Sequence, residues 1–475
     1  MIRPLERFSF RRQGGRRWNP GFRIPTSLRE NLPLIGLLAA ITWLTFTRLL
    51  AEDAGDHVYA WGRETLRAVQ AWENHGFFRM AGFFPLGGTY FPPDQFPPTL
   101  YQSYPPLYLL PYWLGYKLFG GEAGFPAVKI SLAFLFLIAL GLILGRIASL
   151  CFADRGRGTR QLVFVVAYAI TITNEAALRF TIIDEPDYLG LLLMLLGVAF
   201  LGEWWSRRHP PGTWPLAAAW AFLLAAWVYP ILGALLFLSS LALGRLRLDA
   251  DLLKGLRTIS LTAMVGMALY WIQRLIANVV FPQGLQGSSL FARMGLTAST
   301  SEHQGVLDSL QFLIFQMSRA TIESSGLPAR HLLEHAAIWI LGVVLFAIAF
   351  LRSHGRRRQL LMILAAAQLW LFIPLLHQSL SQHSWIYGIH FLPTVVLGWV
   401  GGLTTLLPRR PGTLITPWLL GFFGLLIWAI QLRYYLVAYL GKGGGPRKPW
   451  TYIDRASERA CVGSGNRFHP DLHRL

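Results

Sequence analysis

Three carboxylates stand together in front of an apolar run: Asp184, Glu185 and Asp187 in the stretch IIDEPDYLGLLLMLLG. Acids are scarce in this chain, with 24 Asp and Glu against 43 Lys and Arg. Acids in the first turn of a helix stabilise it through the helix dipole by about 0.3–1 kcal/mol, and Pro186 suits the first helical position. Three carboxylates exceed what one helix start needs, and their mutual repulsion disfavours full ionisation. The group is therefore a candidate for proton transfer or ligand binding, with dipole stabilisation as the alternative.

A second group of polar residues closely follows the first apolar run of the chain. It contains Asp53 and Asp56, and His57 is adjacent to Asp56. A carboxylate can take the proton of an attacking hydroxyl when it lies within about 2.6–3.2 Å. The same residues, together with the acids before Pro186, could hold a divalent cation or none, so the sequence leaves a metal cofactor open.

Cationic residues near these acids could hold an anionic leaving group. Arginine suits a phosphate because its planar fork matches the phosphate oxygens. A solvated side chain is the alternative interpretation for each candidate. The candidates on the same side as the acids in the topology given below are Arg79, Lys117, Arg179, Arg274 and Arg293.

Aromatic and imidazole rings recur in HQSLSQHSWIYGIHFLP. His383, Tyr387 and His390 are spaced i, i+4 and i+7 and would share one face of a helix. They could contact a phosphate or a sugar. The alternative is a belt of amphipathic rings at a membrane interface. A zinc site is poorly supported because no Glu or Cys lies at ligand spacing.

The composition indicates the elements that carry these residues. Hydrophobic residues make up 53% of the chain and charged residues 14%, whereas soluble domains carry about 25% charged residues. The net charge of +19 comes from short basic clusters between apolar runs. That pattern is typical of cytoplasmic loops of membrane proteins rather than of nucleic-acid binding. The sequence therefore predicts an all-α polytopic membrane protein.

About eleven spans fit the apolar runs and the basic loops. A break near Pro230 divides one long run into a hairpin of two spans. We expect a basic cytoplasmic N-terminus over 1–31, a transmembrane domain over 32–440 with long outer loops at 51–124 and 281–334, and a polar C-terminal tail over 441–475. The predicted spans are 32–50, 126–150, 161–177, 188–205, two within 214–243, 259–280, 336–351, 360–376, 389–407 and 413–438.

The first outer loop is predicted to hold two interfacial helices. From Tyr59 onward, Leu66, Val69 and Trp72 recur at helical spacing among charged residues, which is typical of an amphipathic helix on a membrane surface. The stretch 106–119 is too short to cross comfortably and is rich in Tyr and Trp, so it is predicted to be the second.

The order of these motifs resembles the GT-C class of integral-membrane glycosyltransferases, the group containing protein O-mannosyltransferases and lipid A aminoarabinose transferases. The resemblance covers roughly residues 30–245 and rests on DHVYAWGRETLRAVQAWENHGF, the PP-L segment ending YKLFG, and RFTIIDEPDYLGLLLMLL. It implies inverting transfer of a sugar from a polyprenyl-phosphate donor. It implies that Asp56 is the general base, with Asp53 as the fallback. Asp187, then Asp184, match the second acidic motif. His57 stands where many members have Glu.

The resemblance also implies partners and a location. The donor would be a polyprenyl-phosphate-linked sugar, and the acceptor a lipid, a glycan or a protein on the outer, periplasmic side of a bacterial inner membrane. The alternatives are a transporter or flippase of lipid-linked sugars and a membrane scaffold. A transporter is expected to carry buried mid-span charges and internal repeat symmetry. Apart from Arg274, mid-span charges are scarce here.

Overall fold

A computed structural model of the chain describes residues 35–46, 55–85, 100–101, 106–151, 157–174, 177, 186–206, 213–228, 249–280, 330–367, 392–406, 422, 426 and 429. Side chains are described in most of these ranges, although the long helices that start at residues 55, 186 and 330 have described side chains only from Thr65, Tyr188 and Ala337 onward. Apart from residues 422, 426 and 429, the predicted span 413–438 lies outside the described residues. The second half of the predicted hairpin also lies outside them.

The described part is all-α apart from one short strand pair. The strands β1 (Phe84–Pro85) and β2 (Leu100–Tyr101) pair antiparallel. A short 3-10 helix, Pro106–Leu109, leads directly into α3. The α-helices are α1 (Ile35–Phe46), α2 (Gly55–His75), α3 (Leu110–Leu118), α4 (Phe125–Cys151), α5 (Arg157–Ile172), α6 (Pro186–Ser206), α7 (Thr213–Val228), α8 (Ala250–Val280), α9 (Arg330–Leu351), α10 (Gly355–Ala367) and α11 (Leu392–Leu406).

Three described helices are long and apolar enough to cross a membrane: those over Phe125–Cys151, Tyr188–Ser206 and Ala250–Val279. Shorter apolar helices accompany them in α1, α5, α7, α9 and α11. The predicted fold class, an α-helical membrane protein, is thus confirmed. The count of about eleven spans remains a prediction.

The helix boundaries agree closely with the sequence prediction in most places. The predicted break of the 214–243 run agrees with α7, which ends at Val228. A difference of nine residues occurs in α8, which begins at Ala250 rather than near residue 259. Its first turns are polar, and Asp249 caps them by accepting hydrogen bonds from the backbone N–H groups of Asp251 and Leu252. Capping by a side-chain carboxylate extends a helix beyond its apolar part, where hydropathy gives no signal.

Small residues allow the helices to approach closely. In α4, Gly141 and Gly145 pack against Tyr168 and Phe164 of the antiparallel helix α5. In α8, a methyl group at Gly266 would lie 2.1 Å from the backbone oxygen of Leu223 in α7. Close backbone approach through small residues is how helices associate without a hydrophobic driving force between them.

The two ends of the helical bundle differ in charge. One end, which we call the basic end, carries Arg352 and Arg358 near the turn between α9 and α10, and the beginning of α5 at Arg157. Near this end, Arg146 of α4 pairs with the buried carboxylate of Glu203 in α6. The opposite end is covered by residues 65–83 and 106–118, which we call the cap.

The cap contains an apolar cluster that lies between α2 on one side and α8 on the other. Ala68, Ala71 and Trp72 of α2 pack with Leu109 and with Tyr270 of α8. α2 was predicted to be amphipathic, and its helical spacing is confirmed. Its buried face from Thr65 onward contacts other helices of the protein rather than a lipid surface.

Gly398 tests the close packing of the parallel helices α9 and α11. A methyl group at this position would lie 1.9 Å from the backbone oxygen of Gly342. We expect Gly398→Ala to lower the free energy of unfolding by about 1–3 kcal/mol, because neither backbone can move away cheaply. Thermal unfolding in detergent, followed by fluorescence-detected gel filtration, measures the change. Gly36→Ala is the matched control, since nothing lies within 4 Å of the added methyl group. An equal loss in both variants would contradict the prediction.

Candidate functional site

α1 ends and α6 begins at the same level of the bundle, which we call the junction layer. The ring of Phe46, the last residue of α1, lies 4.8 Å from the ring of Phe134 in α4. α4 and α6 run parallel with an offset of 52 positions: the Tyr188 hydroxyl donates to the Phe136 carbonyl at 3.0 Å, and Gly202 packs against Leu150. Pro186, the first residue of α6, therefore lies opposite position 134 of α4 as well.

Both groups of predicted acids are close in sequence to helix ends in the junction layer. Asp56 and His57 lie in the first turn of α2, whose first residue, Gly55, follows Phe46 by nine positions. Asp187 is the second residue of α6. The chain segment that leads from α1 to Asp56 and the helix that carries Asp187 therefore both begin at the junction layer, at the cap end of the bundle. Asp53, Asp184 and Glu185 lie outside the described residues.

A hydrogen-bonded chain attaches the cap to the bundle. The Gln273 amide of α8 donates to the carbonyl of Ala81 at 2.8 Å and accepts from the indole N–H of Trp227 at 3.1 Å. Ala81 has a positive φ of 49° and sits in a tight turn with Gly82 at 77°. Within this turn the buried indole N–H of Trp72 donates to the Phe83 carbonyl at 2.9 Å. Sequence reasoning missed Gln273, because its neighbours suggest only an apolar span.

The cap surface carries an ion pair between Lys117 and Glu73. Lys117 Nζ lies 3.3 Å from Glu73 Oε1 and 4.9 Å above the ring of Trp113, whose indole N–H donates to Glu73. Lys117, a predicted phosphate ligand, thus has a carboxylate partner. Since both side chains are partly exposed, the pair contributes little stability. Burial raises the pKa of Tyr116, and the nearby carboxylates of Glu122 and Glu73 raise it further.

Arg274 lies near the cap end of α8 and is buried. Its side chain is 6% exposed, and its guanidinium carbon is 5.3 Å from the centre of the Trp271 ring. The flanking residues Tyr270 and Ala277 belong to the same apolar cluster as Trp72 of the cap. The structure therefore places Arg274 beside the cap, toward the end of its span. Arg79 lies exposed in the turn that follows α2.

Lys129 is a second buried cation that sequence reasoning missed. It lies in the second turn of α4 and is 2% exposed. A lysine near the start of an apolar run suggests a side chain that reaches toward the interface, and only the packing shows that it is enclosed. The signal available in FPAVKISLAF was a single charge within an otherwise uncharged stretch.

The remaining predicted ligands lie outside the described residues: Arg179, Arg293, His383, Tyr387 and His390. Among the described side chains, no group of three or more His, Cys, Asp or Glu could hold a metal ion. The side chains of Asp56, His57, Asp184 and Asp187 do not belong to that set, so a divalent cation at these residues stays open.

No family model matches the chain, and no curated protein matches it. The crystal structure of the oligosaccharyltransferase of Archaeoglobus fulgidus in its apo form aligns with 15% identity and a TM-score of 0.45. The alignment covers 91% of this chain and 58% of that one.

Gln273→Leu is expected to loosen the cap. It removes the donor to the Ala81 carbonyl and the acceptor of the Trp227 indole, and an unsatisfied buried group costs about 1–3 kcal/mol. The rate at which a maleimide modifies a Met80→Cys reporter measures opening, because Met80 is 1% exposed. The background carries Cys461→Ser, and Cys151 is buried. We expect at least a roughly 5-fold faster rate.

Gln70→Leu is the matched control for this experiment. The Gln70 amide donates to Glu122 at 3.2 Å in an exposed pair, so its loss should leave the modification rate within about twofold. Equal rates in the two variants would show that the Gln273 contacts do not hold the cap.

Proposed function

We propose that this protein is an integral-membrane glycosyltransferase that moves a sugar from a polyprenyl-phosphate donor to an acceptor hydroxyl at the cap end of the bundle. The observation that carries the proposal is the junction layer. The connection bearing Asp56 and the helix bearing Asp187 start at one level, and the cap lies over this end with the buried cation of Arg274 beside it. A carboxylate that accepts a proton and a cation that neutralises a phosphate both suit transfer from a phosphate donor.

The proposed reaction uses Asp56 as general base. The acceptor oxygen attacks the anomeric carbon of the sugar while the Asp56 carboxylate takes the hydroxyl proton. The bond between the anomeric carbon and the phosphate oxygen breaks, polyprenyl phosphate leaves, and attack from the opposite face inverts the configuration. Asp187 and Asp184 orient the acceptor or share the base function. Holding the reactants in one geometry supplies much of the rate enhancement.

Cationic residues would neutralise the phosphate as it leaves. Arg274 is the described residue best suited, because a buried guanidinium acts on phosphate in a low dielectric. Asp53 and Glu185 are proposed to contact the sugar or the acceptor. The other proposed substrate contacts are His57, Arg79, Arg179, Arg293, His383, Tyr387 and His390.

The proposed orientation follows from the charges of the two ends. The basic end, with Arg157, Arg352 and Arg358, would face the cytoplasm. The cap would then face the periplasm of a bacterial inner membrane, where a lipid-linked sugar and a lipid, glycan or protein acceptor meet. The domain limits 1–31, 32–440 and 441–475, with outer loops at 51–124 and 281–334, belong to the same proposal.

Asp56→Asn tests the proposed function. Membranes containing the protein receive polyprenyl-phosphate donors with a radiolabelled sugar, and transfer of label to endogenous acceptors is measured. We expect the variant to lose about 10²- to 10⁴-fold in rate, because an amide cannot accept the proton. Asp249→Asn is the matched control. Asparagine caps a helix as well as aspartate does, and Asp249 lies at the start of α8, near the basic end.

Two results would contradict the assignment. Unchanged transfer by Asp56→Asn at wild-type abundance would move the base to Asp53 or to the acids before α6. Donor that crosses the membrane with its sugar–phosphate bond intact, without transfer, would favour a flippase instead.

A further inference from the structure

The helix α3 of the cap carries two exposed leucines on one face. Leu114 and Leu118 are 48% and 76% exposed, and as residues i and i+4 they lie side by side on the helix surface. We call this pair the leucine ridge. Phe119, which directly follows α3, is exposed as well. Such a surface meets water, protein or lipid, and the packing of α3 on α4 indicates which.

α3 packs against the first turns of α4. A methyl group at Gly115 would collide with the side chain of Val128. Val128, Leu135 and Leu142 follow one another at intervals of seven residues, so they lie on nearly the same face of α4. Val128 is 5% exposed, whereas Leu135 is 58% exposed. α3 therefore covers the first position of a stripe that is open about 10 Å further along α4.

The level of α3 along α4 matches a membrane boundary. α4 is long and apolar enough to cross a membrane, so its exposed stripe is suited to acyl chains. Arg146 lies five helical turns beyond Val128 on the same face, and its charged side chain is 46% exposed. These five turns span about 27 Å, close to the roughly 30 Å of hydrocarbon in a bilayer. With Arg146 at one boundary, Val128 and α3 lie at the other.

The leucine ridge points toward the middle of the membrane. The rings of Tyr112 and Tyr116 lie 6.4 and 6.2 Å from the ring of Phe125, the first residue of α4. These tyrosines mark the face of α3 that points toward the start of α4 and away from its apolar middle. Each leucine of the ridge is two positions from a tyrosine, or about 200° around the helix. The ridge therefore points the opposite way, toward the exposed stripe of α4.

The charged contacts of α3 lie beside the ridge and connect α3 to α2. Lys117 pairs with Glu73 of α2 and lies over the ring of Trp113. The indole N–H of Trp113 donates to the same carboxylate. These contacts leave the ridge apolar. Tyrosine and tryptophan rings with a neighbouring lysine are typical of the boundary between headgroups and acyl chains.

We propose that the leucine ridge inserts into the membrane leaflet on the cap side, at the boundary between headgroups and acyl chains. The sequence predicts an interfacial helix over 106–119, and the packing adds the face that meets lipid and the level at which it does so. Tyr112 of α3 packs with Val69 of α2, so the leaflet supports the helix that begins near Asp56. The proposal requires neither the transfer reaction nor a particular orientation in the membrane.

Fluorescence quenching of a label on the ridge tests the proposal. Leu118→Cys in the Cys461→Ser background is labelled with an NBD maleimide, and the full-length protein is reconstituted into phosphatidylcholine vesicles. Lipids with a doxyl group near the headgroup or near the chain end report contact with lipid at two depths, and iodide reports contact with water. We expect the doxyl group near the headgroup to quench at least about twofold more than iodide, because interfacial helices insert by about 5–10 Å. Leu114→Cys provides a second site on the ridge.

Two control sites define the scale of this measurement. Leu135→Cys, on the exposed stripe of α4, should be quenched most by the doxyl group near the chain end. Glu122→Cys, an exposed position near Tyr116 on the other side of α3, should be quenched mainly by iodide. Quenching of the ridge label by iodide alone would place the ridge in water, and quenching by neither reagent would show that protein covers it, as in a contact between two copies. Either result would overturn the proposal.

Discussion

Gln273 joins three elements on which the cap end of the molecule depends. Its amide links the end of α7, through Trp227, to the turn of the cap at Ala81. α7 ends one residue after Trp227, whereas α8 continues for seven residues beyond Gln273. The longer helix therefore supports the cap above the ends of its shorter neighbours. This support matters in an apolar environment, because backbone N–H and C=O groups outside a helix still need hydrogen-bond partners.

Unequal helix lengths also decide where charge can lie. A polar connection cannot run through lipid, so the ends of α1, α5, α6 and α7 have to be covered by protein or water. α4 and α8 extend past these ends and carry the buried cations Lys129 and Arg274. Both cations thus lie toward the cap end of the bundle rather than in its apolar middle.

The sequence predicted the helical elements well and the partners of individual side chains poorly. Apolar runs and basic turns place α4 and α6 within a few residues, because hydropathy and charge are local signals. The amphipathic spacing of Leu66, Val69 and Trp72 likewise predicted a helix. The spacing did not reveal that Trp72 packs against Tyr270, about two hundred positions away. Lys129 and Lys117 look alike in sequence, and only the packing around them shows that one is buried and the other is paired on the surface.

In the proposed reaction the two acidic groups belong to different parts of the fold. Asp187 lies in the first turn of α6, a helix that packs against α4 and α7 of the bundle. Asp56 lies in the first turn of α2, whose later turns pack into the apolar cluster of the cap. One acid thus begins a helix of the bundle and the other begins the helix that builds the cap. A substrate bound where the cap meets the bundle would have one acidic group on each side, which suits the positioning of an acceptor against a donor.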